Sequence, residues 1–233
     1  MIDILLAGVG GQGTVLAAKV LAQAAQNKGW QVRTAETIGM AQRGGNVTSH
    51  VRMGSNGEAV FSPLITPGTA DIVIALEPGE AARALPFLAP GGVLVTATTA
   101  IQPVTAALSS QPYRAGDVVA ALANSLQVEA SREQAAEVAI APNAKANTQD
   151  AEAPGVEGYP VPLFIPVDDG ALVREAGAGS RKSLNMMLLA VAVAQGRVPL
   201  SIDEVKDAVR ACVKPRFVAM NLAAIDTAVA NFG

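Results

Sequence analysis

The chain has 233 residues, half of them apolar, with 17 basic and 20 acidic side chains and a formal net charge of −3. That length suits one large domain, or one domain with an appended helical piece, and a charged fraction of 16% against roughly 25% in an average soluble domain leaves a thinly charged surface, as expected where another subunit covers part of it. A slightly acidic chain with only eight aromatic residues lacks both the basic footprint and the stacking platforms of a nucleic-acid binder.

Ile2 to Ala7 reads as a short buried strand. The residues before it carry neither a basic n-region nor a cleavage site, so no signal peptide is expected, and the chain is assigned to the cytoplasm. Glycines follow, and Thr14 to Lys28 then places Leu16, Val20, Leu21 and Ala24 at helical spacing, with Gly29 ending the helix. Trp30 to Thr37 reads as a second strand, so the order strand, helix, strand predicts a right-handed βαβ unit. Ile38 to Gly45 is a loop and Val47 to Met53 a strand. Gly54-Ser55-Asn56-Gly57 then has the composition of a hairpin turn into a further strand, Ala59 to Ser62.

Asp71 to Leu76 is another buried strand. Glu80 to Leu88 reads as a helix stopped by Pro90-Gly91-Gly92, and Val93 to Thr96 as the next strand. Ser131 to Tyr159 breaks the pattern: it is rich in Ala, Glu, Pro, Asn and Gln, and has little with which to bury itself. Its first part reads as a short helix and the rest as an exposed loop, an insertion whose partial deletion should cost little. Leu163 to Val167 resumes a strand that ends in Asp168-Asp169-Gly170. A helix follows from about Ser183 to Gln195; its apolar core, Met186 to Ala194, is far shorter than the ~18 residues of a membrane span. Ser201 and Glu204 have capping-box spacing and open a helix to about Cys212. Arg216 to Val229, with Pro215 at its start, forms the last helix. The whole predicts an α/β fold: a Rossmann-like, mostly parallel sheet with flanking helices and C-terminal helices, one domain over 1–233 with an exposed insertion at 131–159.

The chemistry concentrates early. Gly8, Gly10 and Gly13 in Gly8-Val9-Gly10-Gly11-Gln12-Gly13 satisfy GxGxxG between a strand and a helix. The first glycine allows a tight turn, the second lets a ligand approach the backbone, and the third allows close helix packing. The helix start then offers free N–H groups to an anion. The spacing alone is equally satisfied by a purely structural turn. Glu36, 23 residues beyond Gly13 at the end of the second strand, passes the check for a ribose-binding acid, so a dinucleotide stays open.

A second glycine stretch, Gly39-Met40-Ala41-Gln42-Arg43-Gly44-Gly45, sets one cation and one amide in permissive backbone, which suits a phosphate or carboxylate and equally an ordinary surface loop. With the first strand central, both loops leave one carboxyl edge and border one crevice. Thr48, His50 and Arg52 then share a strand face. His50, the single histidine, is readable as a hydrogen-bonded strand residue or as the only acid–base candidate. Cys212, the single cysteine, cannot build a disulfide, a zinc knuckle or an iron–sulfur cluster alone.

Taken together, Gly8 to Thr14, Gly39 to Gly45 and Ser49-His50-Val51-Arg52 closely resemble the small, gamma-type subunits of 2-oxoacid:ferredoxin oxidoreductases, and most nearly their indolepyruvate branch. Ala75-Leu76-Glu77-Pro78 with Glu80-Ala81, Asn185-Met186, and Pro215-Arg216-Phe217 with Met220-Asn221-Leu222 share the likeness, which spans about residues 1–103 and 160–228. The resemblance implies one component of an enzyme that decarboxylates a 2-oxoacid on thiamine diphosphate. Two electrons pass through iron–sulfur clusters to ferredoxin, and the acyl group goes to coenzyme A. It implies no catalytic residue on this chain, which would be inactive alone. Gly8, Gly10, Gly11, Gln12, Gly13 and Thr14 would cradle phosphate, and Gln42, Arg43, Gly44 and Gly45 would border the same coenzyme A-associated site. The chain lacks the thiamine diphosphate signature at its usual spacing, so that cofactor and the clusters belong to a larger partner subunit. An isolated chain would expose the vacant surface, which leaves self-association through it open.

Three other readings remain at this level. A self-contained NAD(P)-binding oxidoreductase rests on the glycine loop and Glu36. An adenylating enzyme of the ubiquitin-activating type shares the loop but wants cysteines that are absent. A structural subunit would keep the glycine turn with no ligand at all.

Overall fold

The computed structural model describes residues 1–39, 45–55, 57–101, 113–126, 162–177 and 181–233. Gln42, Arg43 and Gly44 of the second glycine stretch, and the whole insertion at 131–159, lie outside the described residues. The strands are β1 (Ile2–Val9), β2 (Gln31–Ile38), β3 (Asn46–Gly54), β4 (Ala70–Ala75), β5 (Leu88–Ala97) and β6 (Leu163–Val167). The helices are α1 (Thr14–Asn27), α2 (Pro78–Ala84), α3 (Ala115–Ser125), α4 (Asp169–Glu175), α5 (Leu184–Ala194), α6 (Ile202–Cys212) and α7 (Pro215–Phe232).

All six strands join one sheet in the order β2-β3-β1-β4-β5-β6. β1, β4, β5 and β6 run parallel, while β3 is antiparallel to both β1 and β2. β1 and β2 therefore point the same way, as the strand–helix–strand reading requires, but β3 is inserted between them. The sheet is thus mostly parallel with one antiparallel strand. The chain leaves β1 toward β2 on one side and later enters β4 on the other, which makes the gap between the ends of β1 and β4 the topological switch point.

Alternation along the strands sends two residue sets to opposite faces. Ile4, Leu6, Val51, Met53, Ile72, Ile74, Val93 and Val95 lie beneath α1, α5, α6 and α7. Leu5, Ala7, Val73, Ala75, Leu94 and Phe164 lie against α2, α3 and the coil at Ile65. α5 is buried all round, so its continuous apolar sequence belongs to a helix packed between sheet and α7. At ~25 cal/mol per Å², this face carries most of the burial energy.

Four expectations change. Ala59 to Ser62 is coil: Val60 is buried and donates its N–H to Gln31 Oε1 at 3.2 Å, and the Ser62 carbonyl accepts from Arg52. Side chains satisfy backbone groups that a ladder would otherwise pair. The helix expected to Leu88 ends at Ala84 and continues as a 3₁₀ turn, Leu85–Phe87, around Pro86. Pro90-Gly91-Gly92 lies inside β5, where the register with β4 shifts between Ala70 and Ile72; an irregularity of that kind admits Pro and Gly in a strand. Finally, α3 and α4 appear where no helix was expected.

Candidate functional site

The carboxyl edge of the sheet brings the first glycine loop, the end of β4, the start of α5 and Gly45 together. Gly10 donates its N–H to Gly45 O at 2.9 Å, so Gly45, the last residue of the second glycine stretch, lies against the first loop. β2 and β3 are closed at the same edge by Gly39 N–H to Asn46 O at 2.8 Å.

The glycines divide the work differently from the simple motif. Gly13 caps α1 with a left-handed backbone, φ 85° and ψ 26°, which side chains resist. A Cβ there would also lie 2.6 Å from Asn185 Nδ2, and that amide donates to Gly13 O at 3.0 Å. The third glycine does admit a close neighbour, but that neighbour is a side chain of α5 and not the strand beneath α1. Gly8 is crowded by Thr14 Oγ1, Gln12 Oε1 and Leu76. Gly10 is exposed, and among the described residues a Cβ would meet only Gly45 O at 3.5 Å, which leaves room for a ligand.

Gln12 is turned inward. Its Oε1 accepts from Val9 N–H at 2.6 Å and its Nε2 donates to Leu76 O at 2.7 Å, which ties the loop across the switch point to β4. Its amide therefore shapes the cradle from behind. The first turn of α1 has no side-chain cap and no acid. Among the described residues, the N–H groups of Gly11, Gly13, Thr14 and Val15 have no protein acceptor, and buried Thr14 Oγ1 has no partner either. An uncapped helix start with free donors and exposed glycines favours an anion.

Around this cradle the edge is braced. Glu77 caps α2, accepting from Glu80 N–H at 3.0 Å and from the Tyr113 hydroxyl at 2.7 Å. Burial, reinforced by the hydrogen bond to Glu77, pushes the Tyr113 phenol up, so it stays a donor. Burial also raises the Glu80 carboxyl, against the opposing pull of paired Arg83. On the far side, buried Asp169 accepts from Thr98 and Thr99 N–H at 3.1 and 2.9 Å and pairs with Arg181, which leads into α5. Asn185, singled out in the sequence only by resemblance, proves to be the pin between α5 and the glycine loop. No local pattern announces it.

Two candidates fall away from the site. His50 lies midway along β3, opposite Leu5, with Nδ1 accepting from Ile65 N–H at 3.2 Å and its ring edge-on to Phe87. Burial lowers its pKa and keeps it neutral, so it is the hydrogen-bonded strand histidine. Glu36 is exposed on edge strand β2, with β3 between it and β1. The ribose-acid geometry needs the strand beside β1, so the 23-residue spacing no longer supports a dinucleotide.

Residues 3–231 match the family model described as pyruvate ferredoxin/flavodoxin oxidoreductase. The chain is 31% identical over 224 residues to indolepyruvate oxidoreductase subunit IorB of Archaeoglobus fulgidus, covering 96% of this chain and 92% of that one. It is 30% identical over 227 residues to the subunit of the same name from Pyrococcus horikoshii, covering 97% and 94%. The fold is similar to the gamma subunit of a keto/oxoacid ferredoxin oxidoreductase from Geobacter sulfurreducens (TM-score 0.60, 19% identity, 99% of this chain and 98% of that chain). It is similar as well to 2-oxoglutarate:ferredoxin oxidoreductase from Magnetococcus marinus, solved with 2-oxoglutarate, coenzyme A and succinyl-CoA (TM-score 0.61, 18% identity, 98% of this chain but 30% of that chain).

Proposed function

The chain belongs to the pyruvate ferredoxin/flavodoxin oxidoreductase family, and from that premise we propose that it is the small subunit of an indolepyruvate/arylpyruvate-type 2-oxoacid:ferredoxin oxidoreductase that forms acyl-CoA and CO2. The observation that carries its local role is the uncapped start of α1, whose N–H groups stand free beside exposed Gly10 and Gly11. These groups would hold phosphate of coenzyme A, with Gln42, Arg43, Gly44 and Gly45 bordering the same site. The chain itself supplies no catalytic side chain; it binds and orients the acyl acceptor.

A larger partner subunit would carry thiamine diphosphate and the iron–sulfur clusters, which supply decarboxylation and electron transfer to ferredoxin when bound. One cysteine in the whole sequence cannot ligate a cluster, which supports that division. Within this chain, Gln12 and Asn185 hold the cradle in shape, and the Glu77 and Asp169 braces hold the loops beside it. Among the described residues no helix is long and apolar enough to cross a membrane, and we place the enzyme in the cytoplasm.

The test is steady-state kinetics on the complex of this chain with its larger subunit. Gly10→Val should raise KM for coenzyme A at least about tenfold, the size of one lost charge-assisted contact, with the 2-oxoacid KM unchanged. An unaltered coenzyme A KM removes the phosphate site. An isolated chain that binds NAD⁺ and not coenzyme A restores the nicotinamide reading.

A further inference from the structure

The start of α1 is held by a side chain that comes from elsewhere in the fold. An ordinary helix start is fixed by its N-cap residue, whose side-chain oxygen takes up the N–H of the second or third helical residue. Gly13 has no side chain to do this, and at φ 85° its backbone lies where glycine keeps ample freedom. The restraint is applied to its carbonyl instead: Gly13 O accepts from Ala17 N–H at 3.1 Å and from Asn185 Nδ2 at 3.0 Å. The carbonyl and the amide of one trans peptide point in opposite directions. Fixing Gly13 O therefore aims Thr14 N–H out of the helix start, and the free donors are oriented without any of them being consumed.

Asn185 is built for that work. It is 2% exposed, and its Oδ1 accepts from Met186 N–H at 3.0 Å. The two ends of its amide thus have separate partners, and turning it over would set an oxygen against Gly13 O. Its backbone belongs to α5, which is buried on every side from Leu184 to Val193. One turn earlier Arg181 pairs with Asp169, which is itself fixed by Thr98 and Thr99 N–H. The loop is therefore steadied from the core of the protein. Thr14 Oγ1, buried and without a partner, stands at the same helix start as a further group awaiting a ligand.

We propose that Asn185 is a positioning residue for the acyl acceptor: it replaces an N-cap side chain from the carbonyl side and so sets the affinity of the start of α1 for a phosphate group of coenzyme A. This rests on the reading of the glycine site as the coenzyme A site. Donors held in place before the ligand arrives cost less to order on binding, and a cap placed on the donors themselves would forfeit that gain.

The experiment is steady-state kinetics and thermal melting of the complex with the larger subunit, comparing the unaltered chain with Asn185→Ala, Asn185→Asp and Gly10→Val. Asn185→Ala should raise KM for coenzyme A about three- to tenfold. Asn185→Asp should raise it further, because a carboxylate keeps the bond to Met186 N–H but sets a second acceptor against Gly13 O and a negative charge beside the anion. In both, kcat at saturating coenzyme A and KM for the 2-oxoacid should stay within about twofold, well below each melting midpoint. A purely structural role lowers the melting midpoint and the yield of complex with coenzyme A KM unchanged, and that result overturns the proposal. Failure of both variants to assemble with the larger subunit confines Asn185 to folding and overturns it as well. A raised coenzyme A KM in Gly10→Val alone removes only the role of Asn185, whereas no change in any variant removes the phosphate site and this inference with it.

Discussion

The first turns of α6 and α1 face the same physical problem, since each helix start leaves about four N–H groups without an intrahelical acceptor. In α6 the chain answers it alone: Ser201 Oγ accepts from Glu204 N–H at 3.2 Å, Glu204 Oε2 accepts from Ser201 N–H at 2.7 Å, and Asp203 adds charge. In α1 there is no cap and no acid, and Gly13 stands where the serine would be. α6 sits far from the switch point and α1 sits on it. A helix that only has to be stable is closed by its own residues. The start of α1 leaves its donors free, as the proposed anion site requires, and spends its local chemistry on shape.

The largest effect should come from Gly13→Ala. It adds a Cβ at positive φ against Asn185, so urea denaturation should show a loss of ~2–4 kcal/mol. A loss under 1 kcal/mol, by order of magnitude, would mean that the start of α1 is not the fixed structure described. Gln12→Leu comes next, leaving Val9 N–H and Leu76 O unpaired at a cost of ~2 kcal/mol. Ser201→Ala should cost ~1 kcal/mol and leave coenzyme A kinetics untouched, since that end of the comparison is structural. Gly10→Ala should change stability by under ~0.5 kcal/mol, because its Cβ finds ordinary contact and its φ is unremarkable. A large loss there would make the exposed end structural too, and the contrast with α6 would collapse.

The smallest effect at neutral pH belongs to His50, which lies beneath neither helix start. Burial holds its pKa below the ordinary value, so between that pKa and about 6.5 the unfolded chain binds the proton and the folded chain does not. Its contribution is therefore complete above about pH 6.5 and is lost as pH falls through the folded pKa. His50→Gln should flatten the change in urea midpoint between about pH 7.5 and 5.5 while leaving pH 7.5 nearly unchanged.

Much of this was legible in the residues themselves. β6 has the expected bounds, α6 begins at the expected capping box, and the β1 strand, glycine loop and α1 follow in the expected order. Thr48, His50 and Arg52 share a face as alternation requires, and His50 and Arg52 bond to the same covering coil. Misreadings arose where side chains or tertiary contacts replaced a local signal. The Gly54–Gly57 turn has hairpin composition, yet the following segment is captured by Arg52 and Gln31 and never pairs as a strand. Pro90-Gly91-Gly92 has stop composition, but β4 accommodates it through a shifted register.

The sequence by itself determined the six strands and helices α1, α2, α5, α6 and α7 as elements, the glycine loop between strand and helix, the capping box of α6 and the family likeness. Each of those depends on residues within a turn or two of one another, where periodicity, φ preference and capping act. Tertiary structure decided that β3 lies between β1 and β2, which takes Glu36 away from the loop, and that Gln12 faces inward to Leu76. It also decided that Asn185 meets Gly13 from 172 positions away. Those outcomes follow from how two covered sheet faces pack, and no local preference encodes which distant side chain a glycine will admit.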